Sequence, residues 1–333
     1  MSMDNKSVVD QLIKLKSSLV QQQPQIEFPS VENRLSKFEE RKIKFDIVSR
    51  EEAKDFLTNN TYLYKISLYK DNFYTKNNRE FIDLDFAYLK DLSTIDMHIR
   101  YSFLKLCLDI EHGIKTTILA YFNKKNSSDG YSIVDRYIQS KHDKKNNNLS
   151  IKELQLKILE YASLPTHHLN KLYIEIKDGI KAKINIWELI ECVSINELIE
   201  FYIFFKKSEI NKNVDRSFNS ILYAFRHVRN ICAHNSPFLI DLDSQLSGQN
   251  TTLKELLKPK KPEIDLSNKK IMDIASLLYL HKEFVTSDGI RGHRKRELKE
   301  LLERVNRNPS YYTESYINKI FTDTDILIDI LFV

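Results

Sequence analysis

The segment "FRHVRNICAHNSPFL", residues 225–239, concentrates side chains that can handle a phosphate group. Arg229 and His234 lie five positions apart, and Asn230 follows the arginine. Histidine can accept or release a proton near neutral pH, and a guanidinium can hold two oxygens of one phosphate. RNA carries its own nucleophile, the 2′-hydroxyl, so its cleavage needs a base, an acid and stabilisation of the charge on phosphorus. These residue types therefore match RNA cleavage without a metal.

Helix geometry limits how these side chains can meet. Five positions turn an ideal helix by about 500°, so Arg229 and His234 project about 140° apart. Arg226, Asn230 and His234 share one stripe at four-residue steps, and the long Arg229 side chain can swing towards it. We predict a cationic, hydrogen-bonding cluster at the helix end. Three further residues of the segment are candidate RNA contacts: Arg226, His227 and Asn235.

A purely structural explanation of the same residues is open. Cationic side chains in the last turn of a helix stabilise it by interacting with the helix dipole, by about 0.3 to 1 kcal/mol each. A second pair at similar spacing, Arg136 and His142 in what we predict to be a polar loop segment, shows how easily such spacing arises. Three features favour chemistry for the first pair: Asn230, an apolar helical pattern beneath it, and the small Ala233 beside His234.

The elements that position this segment are predicted to be helices. The 333 residues include 6 glycines and 7 prolines, where average usage would give roughly 23 and 17. Long stretches of Leu, Ile, Lys and Glu thus continue without helix breakers, which predicts an all-α, multi-helix bundle. The formal charge of +5 permits a polyanionic partner without requiring one.

The cysteines and the apolar stretches predict the compartment. Three cysteines are widely spaced, without the paired spacing of a zinc site or the density of a disulfide scaffold. Neither a signal peptide nor a run of about 18 apolar residues is present. We expect a soluble protein of the reducing cytoplasm, with no membrane partner, no metal and no cofactor.

Capping signals and periodicity predict helices in the first half. Ser49, with Glu52 three positions later, forms a capping box that starts a helix over about residues 50–58. We interpret the aromatic tract 62–74 as a buried helical segment. Apolar residues at three- and four-residue intervals predict a long central helix within 92–122. They are Ile95, Ile99, Phe103, Leu106, Ile110, Ile114 and Ile118.

Loops and further helices follow. The polar stretches 123–130 and 140–150 are predicted to be exposed loops. Trp187, Ile190, Ser194 and Leu198 are predicted to lie near one core-facing side of a helix that bends near residues 192–194. The helix that carries the Arg and His is apolar at six positions and ends before a proline. Those positions are Phe218, Ile221, Leu222, Phe225, Val228 and Cys232.

The chain is predicted to have three parts. Residues 1–34 would form an N-terminal helix and a linker arm, residues 35–240 the helical domain with the site, and residues 241–333 a C-terminal helical extension. Within the extension, residues 245–267 are predicted to be irregular and residues 268–333 to form two or three helices.

The C-terminal extension contains a second basic cluster. Three of its residues could contact an RNA backbone by charge: Arg294, Lys295 and Arg296. Glutamates at 297, 300 and 303 interleave with these cations, so the pattern favours a mixed-charge, solvated helix instead.

The segment "RNICAHN" resembles the signature of HEPN domains, helical bundles in which an Arg, a polar residue and a His form a ribonuclease site. A second HEPN feature is a Glu followed four residues later by Lys or Arg, and "EHGIK" is similar, with Glu111 and Lys115. The resemblance extends to Abi-like abortive infection proteins of the D/F type over roughly residues 35–240. Four segments in the family's order carry it, including the Trp-containing stretch "INIWELIECV".

This resemblance implies roles for the residues. Arg229 and His234 would be the catalytic pair, Asn230 would orient the histidine or contact phosphate, and Glu111 with Lys115 would form a supporting polar pair. The pair Glu111 and Lys115 is also explained by an ordinary helix ion pair of about 0.3 to 0.5 kcal/mol. A departure is "SPFLID" after the histidine, where many relatives have a basic residue and a second polar position.

The resemblance also implies an activity. We expect a metal-independent HEPN endoribonuclease that acts as a toxin-like effector in abortive-infection phage defence and works as a homodimer. The alternative is a non-cleaving HEPN module that binds RNA and holds a regulatory small RNA.

Overall fold

The computed structural model describes most of the chain from residue 30 onwards. The described ranges are 30–60, 63–76, 78–125, 129–144, 148–258, 263–313 and 315–332. These ranges contain fourteen α-helices and isolated β-bridges but no β-strand, which confirms the predicted all-α class. The helix predicted within the first 30 residues lies outside the described residues.

Fourteen α-helices follow one another along the described part of the chain. They are α1 (Val31–Glu40), α2 (Arg50–Asn59), α3 (Leu63–Tyr69), α4 (Phe86–Lys124), α5 (Ser132–His142), α6 (Ile151–Ile158), α7 (Asn170–Lys177), α8 (Ile186–Cys192), α9 (Ile195–Glu209), α10 (Arg216–Ala233), α11 (Thr251–Leu257), α12 (Lys269–Phe284), α13 (Asp288–Val305) and α14 (Ile317–Leu331).

The central helix is α4, as predicted, and it is longer than its apolar pattern, with 39 residues. All seven apolar residues named for it are buried. The buried Asp85 fixes its start: one carboxylate oxygen accepts the Ala87 amide at 2.8 Å and the other accepts the Asp46 amide at 2.8 Å. The capping box of Ser49 and Glu52 at the start of α2 is also present.

The helix α12 is buried on nearly all sides. It lies against α4, α10 and α14, and most of its side chains are buried, including those of Ser276 and His281. A helix with no solvated face is characteristic of a bundle centre. The described residues between 268 and 332 form three α-helices, as predicted. The division of the chain at residue 240 stays a prediction.

Three local predictions were wrong. Arg136 and His142 lie in α5 and not in a loop, because buried Ile133, Val134, Tyr137 and Ile138 form a helical stripe beneath the polar residues. Residues 245–267 are not wholly irregular, because the Asn250 side chain accepts the Leu253 amide at 3.0 Å and starts α11.

Trp187 does not face the core, contrary to the prediction, and 44% of it is exposed. The expected bend is a complete break, since the Ser194 side chain caps a new helix, α9. Trp187 and Leu198 therefore belong to different helices. The indole ring of Trp187 instead lies over Gly130, where an added Cβ would be 2.5 Å from Cζ3 of the ring.

Gly113, on α4, lies close to the end of α12 at Phe284, and its replacement by alanine should destabilise the fold. A Cβ there would lie 2.5 Å from the carbonyl oxygen of Phe284, so the two helices would have to separate. We expect Gly113→Ala to lower the free energy of unfolding by about 1 to 3 kcal/mol. Urea denaturation would measure this change.

Gly292, in the middle of α13, is the matched control. A Cβ added there would meet, among the described residues, only the flexible end of Arg296, at 3.8 Å. Gly292→Ala should therefore raise stability by about 0.5 to 1 kcal/mol, the ordinary helix preference for alanine. An equal gain in both variants would show that α4 and α12 are not in contact at Gly113.

Within the described residues, none of the helices combines the length and the apolar character needed to cross a lipid bilayer.

Candidate active site

The helix α10 carries the predicted catalytic pair on a side that the core leaves open. Asp215 starts the helix by accepting the Phe218 amide at 2.7 Å. Its buried residues are Ile221, Leu222, Phe225, Val228 and Cys232. These side chains face α4 and α12, and Phe218 is partly buried. Polar residues between them therefore remain at or near the surface.

Arg229 is bound to the central helix. Its Nε donates to Oε1 of Glu111 at 2.9 Å, and both side chains are mostly buried, with 27% and 17% exposed. The terminal nitrogens of the guanidinium form no hydrogen bond with any residue that the structure describes. Within the same described residues, no ion pair joins Glu111 to Lys115, which is partly buried. Glu111 thus supports Arg229 directly.

His234 is the exposed C-cap of α10. Its amide donates to the Asn230 carbonyl at 3.0 Å, and the next residue, Asn235, has a left-handed backbone with φ +56°. The Asn235 amide donates to the Cys232 carbonyl oxygen at 3.4 Å, and the Ser236 amide donates to the Ile231 carbonyl oxygen at 3.0 Å. This pattern is a Schellman motif, with asparagine at the position that glycine usually occupies.

The remaining polar residues of α10 surround the pair without bonding to it. Among the described residues, no hydrogen bond joins Arg229 to His234, and the side chain of Asn230 is partly buried without a hydrogen bond. Arg226 lies over the ring of Tyr223 at 4.7 Å. His227 lies 4.0 Å from Asp273 on α12, and burial lowers the pKa of its imidazole.

A buried carboxylate fixes the segment after His234. One oxygen of Asp96, on α4, accepts the amides of Phe238 and Leu239 at 2.7 and 2.6 Å. The other accepts the Tyr69 hydroxyl at 2.9 Å and Nε of Arg100 at 2.8 Å. Asp96 and Arg100 are 0% and 2% exposed. Asp96 thus connects the segment after His234 to Tyr69 on α3 and to Arg100 on α4.

Two buried cations reach Asn235 from other helices. Arg100 donates through a terminal nitrogen to Oδ1 of Asn235. Lys65, on α3, has its Nζ 3.3 Å from the carbonyl oxygen of Asn235 and 3.5 Å from Oδ1. Lys65 is 6% exposed, and burial lowers the pKa of its ammonium group. Sequence reasoning missed these residues, although Asp96 and Arg100 stand four apart on the apolar side of a helix, which signals a buried pair.

The C-terminal cations are mostly engaged within the chain. Arg294 donates to Asp109 at 2.7 Å and to Glu297 at 2.8 Å, and the hydrogen bond to Asp109 raises the pKa of its guanidinium. Asp109 and Glu111 are two positions apart, about 200° around α4, so Arg294 and Arg229 lie on different sides of that helix.

The other two cations of this cluster differ in exposure. Lys295 donates to the Phe332 carbonyl at 3.2 Å, while Arg296 is exposed. RNA contact by the cluster stays a prediction.

The three cysteines, Cys107, Cys192 and Cys232, are buried and free. Burial raises the pKa of the Cys232 thiol to about 12 and that of Cys192 to about 11, so both are protonated at neutral pH. In the part of the chain that the structure describes, no group of three or more His, Cys, Asp or Glu residues is placed to hold a metal ion.

Comparison with known proteins gives one family. The model of a family described as Abi-like protein matches residues 55–239, more than half of the 333 residues. The match includes Glu111, Arg229 and His234. No curated protein and no solved structure matches the chain.

Proposed function

The chain belongs to the Abi-like protein family, and from this membership and the geometry around Arg229 and His234 we propose that it is a metal-independent endoribonuclease. We place it in the HEPN superfamily, with the D/F-type abortive infection proteins. Membership of the Abi-like family is compatible with abortive-infection defence. In that setting the enzyme would be a toxin-like effector that cuts RNA in the cytoplasm.

The observation that carries the proposal is the bond between Arg229 and Glu111. Glu111 occupies only Nε of the guanidinium, so the two terminal nitrogens remain free for a phosphate within the described structure. A guanidinium held in this way can donate to two phosphate oxygens at once. It is therefore suited to stabilise the charge that builds on phosphorus.

His234, five residues after Arg229 at the end of α10, would act as the general base. It takes the proton of the 2′-hydroxyl, whose oxygen then bonds to phosphorus while the bond to the 5′-oxygen breaks. The 5′-oxygen receives a proton from a second acid, and the products are a 2′,3′-cyclic phosphate and a 5′-hydroxyl. Asn230 would position the histidine or the phosphate.

The second acid is the reason to propose a homodimer. One chain offers one His234, whereas two copies facing each other offer an acid and a base. Support comes from exposed apolar side chains on α4: Tyr101 is 56% and Leu108 is 53% exposed. They lie seven residues apart on one helical face, and Leu108 is one turn from Glu111. The apolar patch thus borders the proposed site.

Leu108→Glu should separate the dimer and lower the cleavage rate with it. A carboxylate in the centre of an apolar contact costs several kcal/mol, so the dimer dissociation constant should rise at least a hundredfold. Light scattering during size-exclusion chromatography would measure the mass. Leu164→Glu is the matched control, since Leu164 is 57% exposed in a different part of the chain. A wild-type monomer that cleaves RNA would contradict the homodimer.

The experiment that tests the function is incubation of the purified protein with a mixed RNA pool in EDTA, followed by analysis of the product ends. Cuts that leave 2′,3′-cyclic phosphates support the proposal. RNA that is bound but never cut, and is bound equally well after His234→Ala, supports the non-cleaving module that holds a small RNA.

A further inference from the structure

Asn235 occupies a backbone position that is more easily filled by glycine. Its φ of +56° is left-handed, and in a Schellman motif glycine takes this conformation without a steric cost. Asparagine tolerates the conformation better than most residues, at some cost in stability. The side chain of Asn235 must therefore have a role other than fitting this backbone conformation.

The cations around Asn235 determine which way its amide faces. Arg100 and Lys65 carry only hydrogen-bond donors, so the atom that meets them must be the acceptor, Oδ1. The NH₂ end of the amide is then turned away from both cations. Asn235 is exposed and directly follows His234, and no described residue accepts a hydrogen bond from this NH₂ group.

The charge beneath Asn235 strengthens this donor. Arg100 shares its charge with Asp96, but Lys65 forms no ion pair with any carboxylate in the described residues. Two cationic groups thus lie near one buried carboxylate, that of Asp96. A cation bound to the oxygen of an amide polarises the group and makes its N–H bonds better donors.

We propose that Lys65 and Arg100 are positioning residues that hold Asn235 so that its NH₂ group donates to the RNA phosphate beside His234. The inference rests on the proposed function and identifies a phosphate contact that complements Arg229. It also accounts for the sequence "SPFLID", which has no basic residue directly after the motif. Lys65 on α3 and Arg100 on α4 supply the positive charge that is absent from the segment itself.

Three variants of the full-length chain test this inference. Asn235→Gly removes the amide and suits the left-handed backbone, so the turn should keep its conformation while Arg100 and Lys65 lose the acceptor Oδ1. Arg100→Lys keeps the charge next to Asp96 but loses the planar guanidinium that donates to both Asp96 and Asn235. Lys65→Met removes a buried cation that forms no ion pair with any residue the structure describes, which should leave stability unchanged or improved.

Each variant is compared with the wild type in RNA cleavage and in affinity for a 2′-deoxy oligonucleotide, which has no 2′-hydroxyl and cannot be cut. Loss of one hydrogen bond to a charged phosphate should lower both by about tenfold or more. If the cations act through Asn235, the double variants Arg100→Lys/Asn235→Gly and Lys65→Met/Asn235→Gly should lose no more than Asn235→Gly alone. Thermal unfolding confirms that each variant folds.

The outcomes separate this inference from the proposed function. Wild-type levels of cleavage and binding in Asn235→Gly, or fully additive losses in the double variants, overturn the positioning role even if the enzyme cuts RNA. If the wild type never cuts RNA, the nuclease is refuted. If the affinity for the oligonucleotide is then lowered equally in Asn235→Gly and in the double variants, the phosphate contact is still supported. A wild type that neither cuts nor binds overturns both.

Discussion

Replacement of His234 by alanine is expected to lower the rate of RNA cleavage by a factor of about 10² to 10⁴, the usual contribution of a positioned acid or base. The fold should be unaffected, because His234 is exposed and its side chain forms no hydrogen bond among the described residues. Binding of RNA should change little, since the phosphate contacts proposed for Arg229 and Asn235 remain. Single-turnover cleavage of a labelled RNA would measure the rate.

His168→Ala is the matched control for this variant. His168 is also exposed, at 64% of its side chain, but it lies between α6 and α7 beside His167. The His168→Ala protein should cleave RNA at the wild-type rate. Undiminished cleavage by a folded His234→Ala protein would remove His234 from the proposed mechanism, whatever the other residues do.

Asp96→Ala is expected to have the largest effect on stability, a loss of about 3 to 5 kcal/mol in the free energy of unfolding. The substitution leaves Arg100 buried without its carboxylate, which is costly for a charge that is 2% exposed. It also leaves the buried amides of Phe238 and Leu239 without an acceptor. A loss of this size is a large part of the total stability of a typical domain.

Urea denaturation followed by circular dichroism would measure this loss. Asp288→Ala serves as the control, because 91% of the Asp288 side chain is exposed and its contact with Arg291 lies at the surface. Its unfolding midpoint should match that of the wild type. A loss below about 1 kcal/mol for Asp96→Ala would mean that the four hydrogen bonds of this carboxylate are not formed together.

Most of the fold could be predicted from local sequence signals. The apolar spacing of Ile95 to Ile118 predicted α4, and the capping box at Ser49 predicted α2, because both signals act within a few residues. The errors came where a local signal was weak or ambiguous. The polar end of α5 looks like a loop, and the Ser194 cap that separates Trp187 from Leu198 looks like part of one helical stripe.

The site was only partly predictable. The sequence motif indicated Arg229, His234 and Glu111, but not that Glu111 would bind Arg229, since 118 positions separate them. The approach of Lys65 to Asn235 spans 170 positions. Contacts at such separations depend on how α3, α4 and α10 pack, and no periodicity within one helix specifies that. The roles of these residues in catalysis stay proposals.

The C-terminal end of α10 should resist local unfolding. The last turns of helices usually fray, with local unfolding that costs far less than unfolding of the whole domain. Here the residues directly after His234 are tied to α4 through Asp96 and Arg100, both of which belong to the buried interior. The backbone amides of Phe238 and Leu239 should then exchange with solvent about as slowly as those of the core, so the backbone after His234 should open only when the whole protein unfolds.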